Sequence, residues 1–190
     1  MVSTPSTMLN LGTKAPGFDL PNPATGQRVT LADYPDTPVL VVFSCNHCPY
    51  VLHILKSFAE YARDLQQQGI SVVMINANDI ENFPDDSPEK MIALGAEYGF
   101  SFPYLYDESQ QVATAYQAAC TPDFFLFNAE HRLVYRGQYD DARPGNNEVI
   151  NGADLKAASR ALLSNTPISE QQIPSMGCNI KWRAGNEPAY

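Results

Sequence analysis

Residues 39–55, VLVVFSCNHCPYVLHIL, set five apolar residues directly before two cysteines, a histidine and a proline. Val39 to Phe43 is β-branched and aromatic, the composition of a strand buried on both faces. Pro49 suits the first turn of a helix, where its missing N–H would lack a partner anyway. From there Leu52, Leu55, Phe58, Ala59, Ala62 and Leu65 recur at helical spacing up to Gly69, which reads as a C-terminal stop. The spacing predicts strand, tight turn and helix, with Cys45 and Cys48 at the junction. Backbone N–H groups and the helix dipole favour negative charge there, so a thiol ionises more readily. The thiolate is the nucleophile of disulfide exchange, and one helical turn brings the second sulfur close to the first. On this reading Cys45 faces solvent and attacks, with Cys48 tucked behind it to resolve a mixed disulfide. Half of a zinc site, or two core cysteines, remain open as plainer readings.

Outward from this junction the order is strand–helix–strand–helix, then a hairpin and a helix. Phe18–Leu20 and Gln27–Thr30 read as short strands around the turn PNPATG. Ile70–Asn76 is a second buried strand. The acidic loop ANDIENFPDDSPEK, residues 77–90, leads to a helix with Ser87 as N-cap and Pro88 as first residue. A short strand at 102–105 and a helix near 109–119 follow. CTPDFFLFNAEHRLVYRG, residues 120–137, has the pattern of a β-hairpin turning at NAEH. A last helix spans about 153–164, and the tail 166–190 reads as irregular, with Ile180 and Trp182 docking it on the rest. The first half demands parallel crossovers and the second an antiparallel edge, so the expected architecture is an α/β sandwich around a mixed sheet.

The chain has 190 residues with 21 acidic and 12 basic side chains, and a formal net charge of −9. That balance argues against nucleic acid or an anionic membrane as partner. No apolar run is long enough for a membrane span. The N-terminal MVSTPSTMLNLGTKAPGF lacks the basic and apolar regions of a secretory signal, so the expected compartment is the cytoplasm. Four cysteines in a reducing compartment point to reactive, metal-bound or simply buried thiols, not to a disulfide framework.

VVFSCNHCPYV, followed by CTPDFFLF and LVYRG, resembles the thioredoxin-like superfamily, and within it the peroxiredoxin-like (AhpC/TSA-related) branch. LGTKAPGFDL and TLADY resemble the entry strands of that branch. The resemblance runs from residue 9 to about 165 and implies a single thioredoxin-like domain over 1–190, with an N-terminal strand extension and a C-terminal tail from 166. It implies a cis-proline at Thr121–Pro122, packed beside the Cys45–Cys48 pair. It also implies a thiol–disulfide oxidoreductase of antioxidant type, acting on thiols and disulfides of proteins or small molecules, without cofactor or metal. Asn46–His47 resembles the histidine-bearing dipeptides of more oxidising relatives. His47 is therefore expected to hold negative charge on Cys45 and tune the couple, with a plain surface histidine as the alternative. Cys120 and Cys178 are candidate accessory redox thiols, Cys120 being as readily a small buried residue.

Two other activities stay open. In peroxiredoxins the peroxide-reducing cysteine follows a threonine by three residues and is assisted by an arginine. Cys48 falls on that cysteine, Cys45 takes the threonine's place, and Arg136 is the candidate arginine. Peroxides are then the substrates. Copper-delivery relatives on this fold use two cysteines before a proline and a distant histidine, which Cys45, Cys48–Pro49 and His131 imitate with a different spacing; thiolate and imidazole suit copper(I) or zinc.

Overall fold

The structure, a computed structural model, describes residues 3–190. Met1 and Val2, where the segment read for a secretory signal begins, lie outside the described residues. The strands and helices are, in chain order, β1 (Ser3–Pro5), β2 (Asp19–Pro21), β3 (Arg28–Thr30), β4 (Val39–Phe43), α1 (Pro49–Gln67), β5 (Ser71–Asn76), α2 (Pro88–Tyr98), β6 (Tyr104–Tyr106), α3 (Gln111–Ala115), β7 (Cys120–Thr121), β8 (Asp123–Phe127), β9 (Leu133–Gly137), α4 (Ala153–Leu163) and β10 (Met176–Asn179).

The central sheet has the order β6-β5-β4-β8-β9. β4 pairs with β5 in parallel and with β8 antiparallel, so the sheet is mixed, as the element order demands. All of β4 is buried. Leu40 and Val42 pack on one side with Phe58, Leu65, Met91 and Leu155, which brings α1, α2 and α4 to that face. Val39, Val41 and Phe43 pack on the other with Val112, Ala113 and Leu20, under α3 and the β2–β3 hairpin. Phe58, 1% exposed, is central to the first core, and its replacement by alanine would cost on the order of 3–5 kcal/mol.

Several elements differ from the sequence reading. α1 buries Val51, Ile54, Leu55, Phe58, Ala59, Tyr61, Ala62 and Leu65, whereas Leu52 is exposed. The helix near 109–119 is only Gln111–Ala115, because Gln110 and Gln117 both take left-handed backbone angles. The tail is not wholly irregular. β10 inserts between β1 and β7 in a small antiparallel sheet, and Ile180 and Trp182 dock on the second core as expected. Among the described residues no helix is long and apolar enough to cross a membrane.

Candidate active site

β4 is locked in mid-sheet and α1 starts at Pro49, so the link Ser44–Cys48 emerges where the sheet meets the helix start. Cys48 is the N-cap residue of α1, with extended backbone (φ −67°, ψ 123°). The Thr121–Pro122 peptide is cis, as the resemblance implies, and joins β7 to β8. Thr121 touches both sulfurs. Its hydroxyl lies 3.3 Å from Cys45 Sγ, and its carbonyl accepts the Cys48 thiol at 3.2 Å.

The expectation that Cys45 faces solvent is wrong, since Cys45 is 1% exposed and Cys48 is fully buried. The cause is the acidic loop, which folds over the redox turn. Asp86 is buried, and its Oδ1 accepts the Asn46 amide at 2.7 Å. Asn46 in turn donates its side-chain amide to the Asp85 carbonyl and accepts the Tyr104 hydroxyl at 3.0 Å. The other Asp86 oxygen accepts from Asn78 at 2.8 Å. His47 is held on the same loop: Nδ1 lies 2.8 Å from Asp86 Oδ2, off the line of a hydrogen bond, and the ring stacks on Phe83.

The negative charge settles on Cys48 and not on Cys45. The Cys48 thiol is lowered to about 5, first because the Cys45 thiol donates to its sulfur, against the penalty of burial. The Cys178 thiol and the Val51 and Cys178 amides favour the thiolate further. Cys45 is pushed well above the usual thiol value by the proton it shares with Cys48, by burial and by the Asp86 charge. Against the expectation for Cys45, the residue at the head of the helix is Cys48, so the amides favour its sulfur.

The remaining candidates separate. β10 sets Cys178 opposite Thr121, and Cys178 packs in the cluster that holds Cys45 and Cys48. Cys120 sits opposite Asn179, and its thiol turns to the Pro122 and Ser175 carbonyls at 3.7 and 4.0 Å. Arg136 is not a peroxide-site arginine. It lies opposite Phe125, whose side chain belongs to the core across the sheet from α1, and binds Gln172 and the Met8 carbonyl. His131 does not join the cysteines either. It sits on the β8–β9 turn against the Tyr34 carbonyl, and the β4–β8 register puts that turn at the end of the sheet away from Cys45. Among the described residues, the side chains that could hold a metal are instead Cys45, His47 and Asp86, whose ligand atoms lie within 4.8 Å of one another.

The sequence profile of the AhpC/TSA family matches residues 11–136, which takes in β2 through most of β9 and the whole redox turn. The chain belongs to the AhpC/TSA family. A Mycobacterium tuberculosis protein that its name assigns provisionally to the peroxiredoxins is 34% identical over 116 residues, 60% of this chain and 68% of the relative. A Sinorhizobium meliloti protein described as hypothetical is 51% identical, with a TM-score of 0.93, covering 96% of this chain and 100% of that one. A secreted disulfide oxidoreductase of M. tuberculosis is 16% identical, with a TM-score of 0.59 over 76% of this chain and 96% of that one, a likeness that shows the fold alone. The fold is thus the thioredoxin-like one.

Sequence reasoning missed Asp86. The pattern Asp85-Asp86-Ser87-Pro88 signals a turn into an N-cap, but nothing in it says which carboxylate turns inward. Asp85 faces out and pairs with Lys90, while Asp86 alone enters the site.

Proposed function

We propose that this AhpC/TSA-family chain is a thiol–disulfide oxidoreductase that makes and breaks a Cys45–Cys48 bond. The observation that carries the reading is the contact of Thr121, directly before the cis proline, with both sulfurs at the start of α1. A thiolate stabilised in the reduced protein favours the dithiol over the disulfide, as in strongly oxidising couples. The favoured direction is oxidation of a substrate dithiol. A substrate thiolate attacks Cys45 Sγ of the disulfide, the S–S bond breaks, and Cys48 leaves as the stabilised thiolate. A second substrate thiolate attacks its own sulfur in the mixed disulfide, and Cys45 departs and takes up a proton. The substrate ends as a disulfide and the protein as a dithiol. The substrates are thiols and disulfides of proteins or small molecules.

The test is equilibration with a reduced and oxidised dithiol model compound, followed by trapping. Wild type should exchange, and Cys48→Ser should accumulate a mixed disulfide at Cys45. A wild type that forms no Cys45–Cys48 disulfide overturns the reading.

The lowered Cys48 thiol also favours a second reading, a peroxidase in which Cys48 attacks the peroxide O–O bond and Cys45 condenses with the resulting sulfenic acid. Arg136, the candidate arginine, lies across the sheet from the cysteines, which favours exchange over peroxide reduction. Peroxide consumption by the reduced protein, compared with disulfide exchange at equal concentration, separates the two. The Cys45, His47 and Asp86 cluster supports a reading of another class, soft-metal binding. Both Asp86 oxygens already accept amide donors, so a metal there would share them with Asn46 and Asn78. Elemental analysis of the purified protein decides this.

A further inference from the structure

We propose that Cys178 is a third redox thiol, which exchanges with the Cys45–Cys48 disulfide to form a Cys48–Cys178 disulfide and so passes the oxidation from the redox turn to the C-terminal strand. This rests on the dithiol reading above and adds a partner to it. In the step, the Cys178 thiol loses its proton and its sulfur attacks Cys48 Sγ. The Cys48–Cys178 bond forms as the Cys45–Cys48 bond breaks, and Cys45 leaves as thiolate and takes up the proton. One disulfide is consumed and one is made, so no outside oxidant is required.

The placement follows from strand register. Cys178 of β10 faces Thr121 of β7 in an antiparallel ladder, and residues directly opposite project from the same face of a sheet. The Thr121 hydroxyl on that face meets Cys45, and its carbonyl meets Cys48. Cys178 is 2% exposed and packs in one cluster with both cysteines. The strand is pressed in hard at this point. A Cβ on Gly177 would lie 2.0 Å from the Thr121 carbonyl oxygen, so only glycine admits β10 this close to the active-site strand.

The same ladder excludes the other spare thiol, since Cys120 faces Asn179 and projects from the opposite face. Cys48 is the common partner: hydrogen bonds from both the Cys45 and the Cys178 thiols favour its thiolate. Cys45 is raised first by its hydrogen bond to Cys48, and Cys178 is pushed up to about 12 by burial and then by its own hydrogen bond to Cys48.

The experiment oxidises wild type, Cys45→Ser and Cys178→Ser with diamide, blocks the remaining thiols and maps the disulfides by mass spectrometry of peptides. Cys45→Ser should form Cys48–Cys178 to an extent comparable with the wild-type disulfide, leaving Cys120 alkylated. Cys178→Ser should retain only Cys45–Cys48. If Cys45→Ser keeps all its thiols, pairs Cys48 with Cys120 or links two chains, the proposal falls. A Cys45→Ala variant, with circular dichroism on each protein, guards against a folding defect. Wild type separates the two claims. Cys45–Cys48 in wild type without Cys48–Cys178 in either Cys45 variant sinks Cys178 alone, whereas no Cys45–Cys48 in wild type sinks the dithiol reading itself.

Discussion

The Asp86 carboxylate accepts the backbone amide of Asn46 at 2.7 Å, so a residue from the acidic loop fixes the turn between the redox cysteines. A hydrogen bond to a charged group contributes more than a neutral one. Asp86→Ala should destabilise the reduced protein by about 2–3 kcal/mol in urea unfolding. It should also speed alkylation of Cys45 and Cys48, because the turn above them loosens. Unchanged stability and unchanged alkylation would make the Asp86 contact incidental.

The charge distribution sets a pH profile. A Cys48 thiol lowered to about 5 is largely ionised at neutral pH, so iodoacetamide labelling should rise through pH 5 and level off above it. An ordinary cysteine would still be rising between about 8 and 9. Cys48→Ser should abolish the low-pH phase, and Cys45→Ser should move its midpoint upward, because the Cys45 thiol is the main group favouring the thiolate. A midpoint near 9 in wild type would contradict the assignment.

His47 shares Asp86 with the turn, its Nδ1 lying 2.8 Å from Oδ2, while the Asp86 charge pushes the Cys45 thiol up. Removing the ring leaves the Asp86 charge at the redox turn without its neighbour, which disfavours a thiolate there and hence the reduced form. His47→Ala should therefore make the couple more negative by tens of millivolts, where about 30 mV corresponds to roughly 1.4 kcal/mol for two electrons. Equilibration against glutathione buffers reads the difference. Equal potentials would reduce His47 to a stacking partner of Phe83.

Asp123, directly after the cis-proline, is fully buried, and burial pushes it up to about 7. Its Oδ1 has no hydrogen-bond partner among the described residues. Below about pH 4 the group is protonated in both folded and unfolded chains. Between there and pH 7 the unfolded chain ionises first, so stability falls as pH rises through that window and is level above it. Asp123→Asn should remove the fall, a difference of a few kcal/mol between pH 4.5 and 7.5. Cys48 titrates in the same range with opposite sign and cancels when variant and wild type are compared. Parallel pH profiles for the two proteins would show that Asp123 is ionised in the folded chain throughout.

The parts of this molecule governed by local rules could be read from the chain. β4 begins and ends where its apolar run does, and Ser87 caps α2 with Pro88 as its first residue, as their types require. The Thr121–Pro122 step carries the cis bond that the family resemblance implies, which no local rule requires. What could not be read depends on distant chain coming together. Leu52 is exposed because the face of α1 is chosen by the sheet it covers, and its neighbour Val51 is the better placed. The cysteines are sealed because a loop forty residues away closes over them. Cys178 belongs to the site because of a strand register between segments far apart in sequence, which no spacing encodes.

The tail reaches the redox turn by two routes. One is β10 alongside Thr121; the other runs from the Lys181 amide to Asn78, from Asn78 to Asp86 and from Asp86 to Asn46. A chain emerging from the ribosome presents Cys45 and Cys48 long before it presents Met176–Asn179. The site is thus complete only when β10 lies between β1 and β7, so a redox turn coded before residue 50 depends on a strand coded after residue 175.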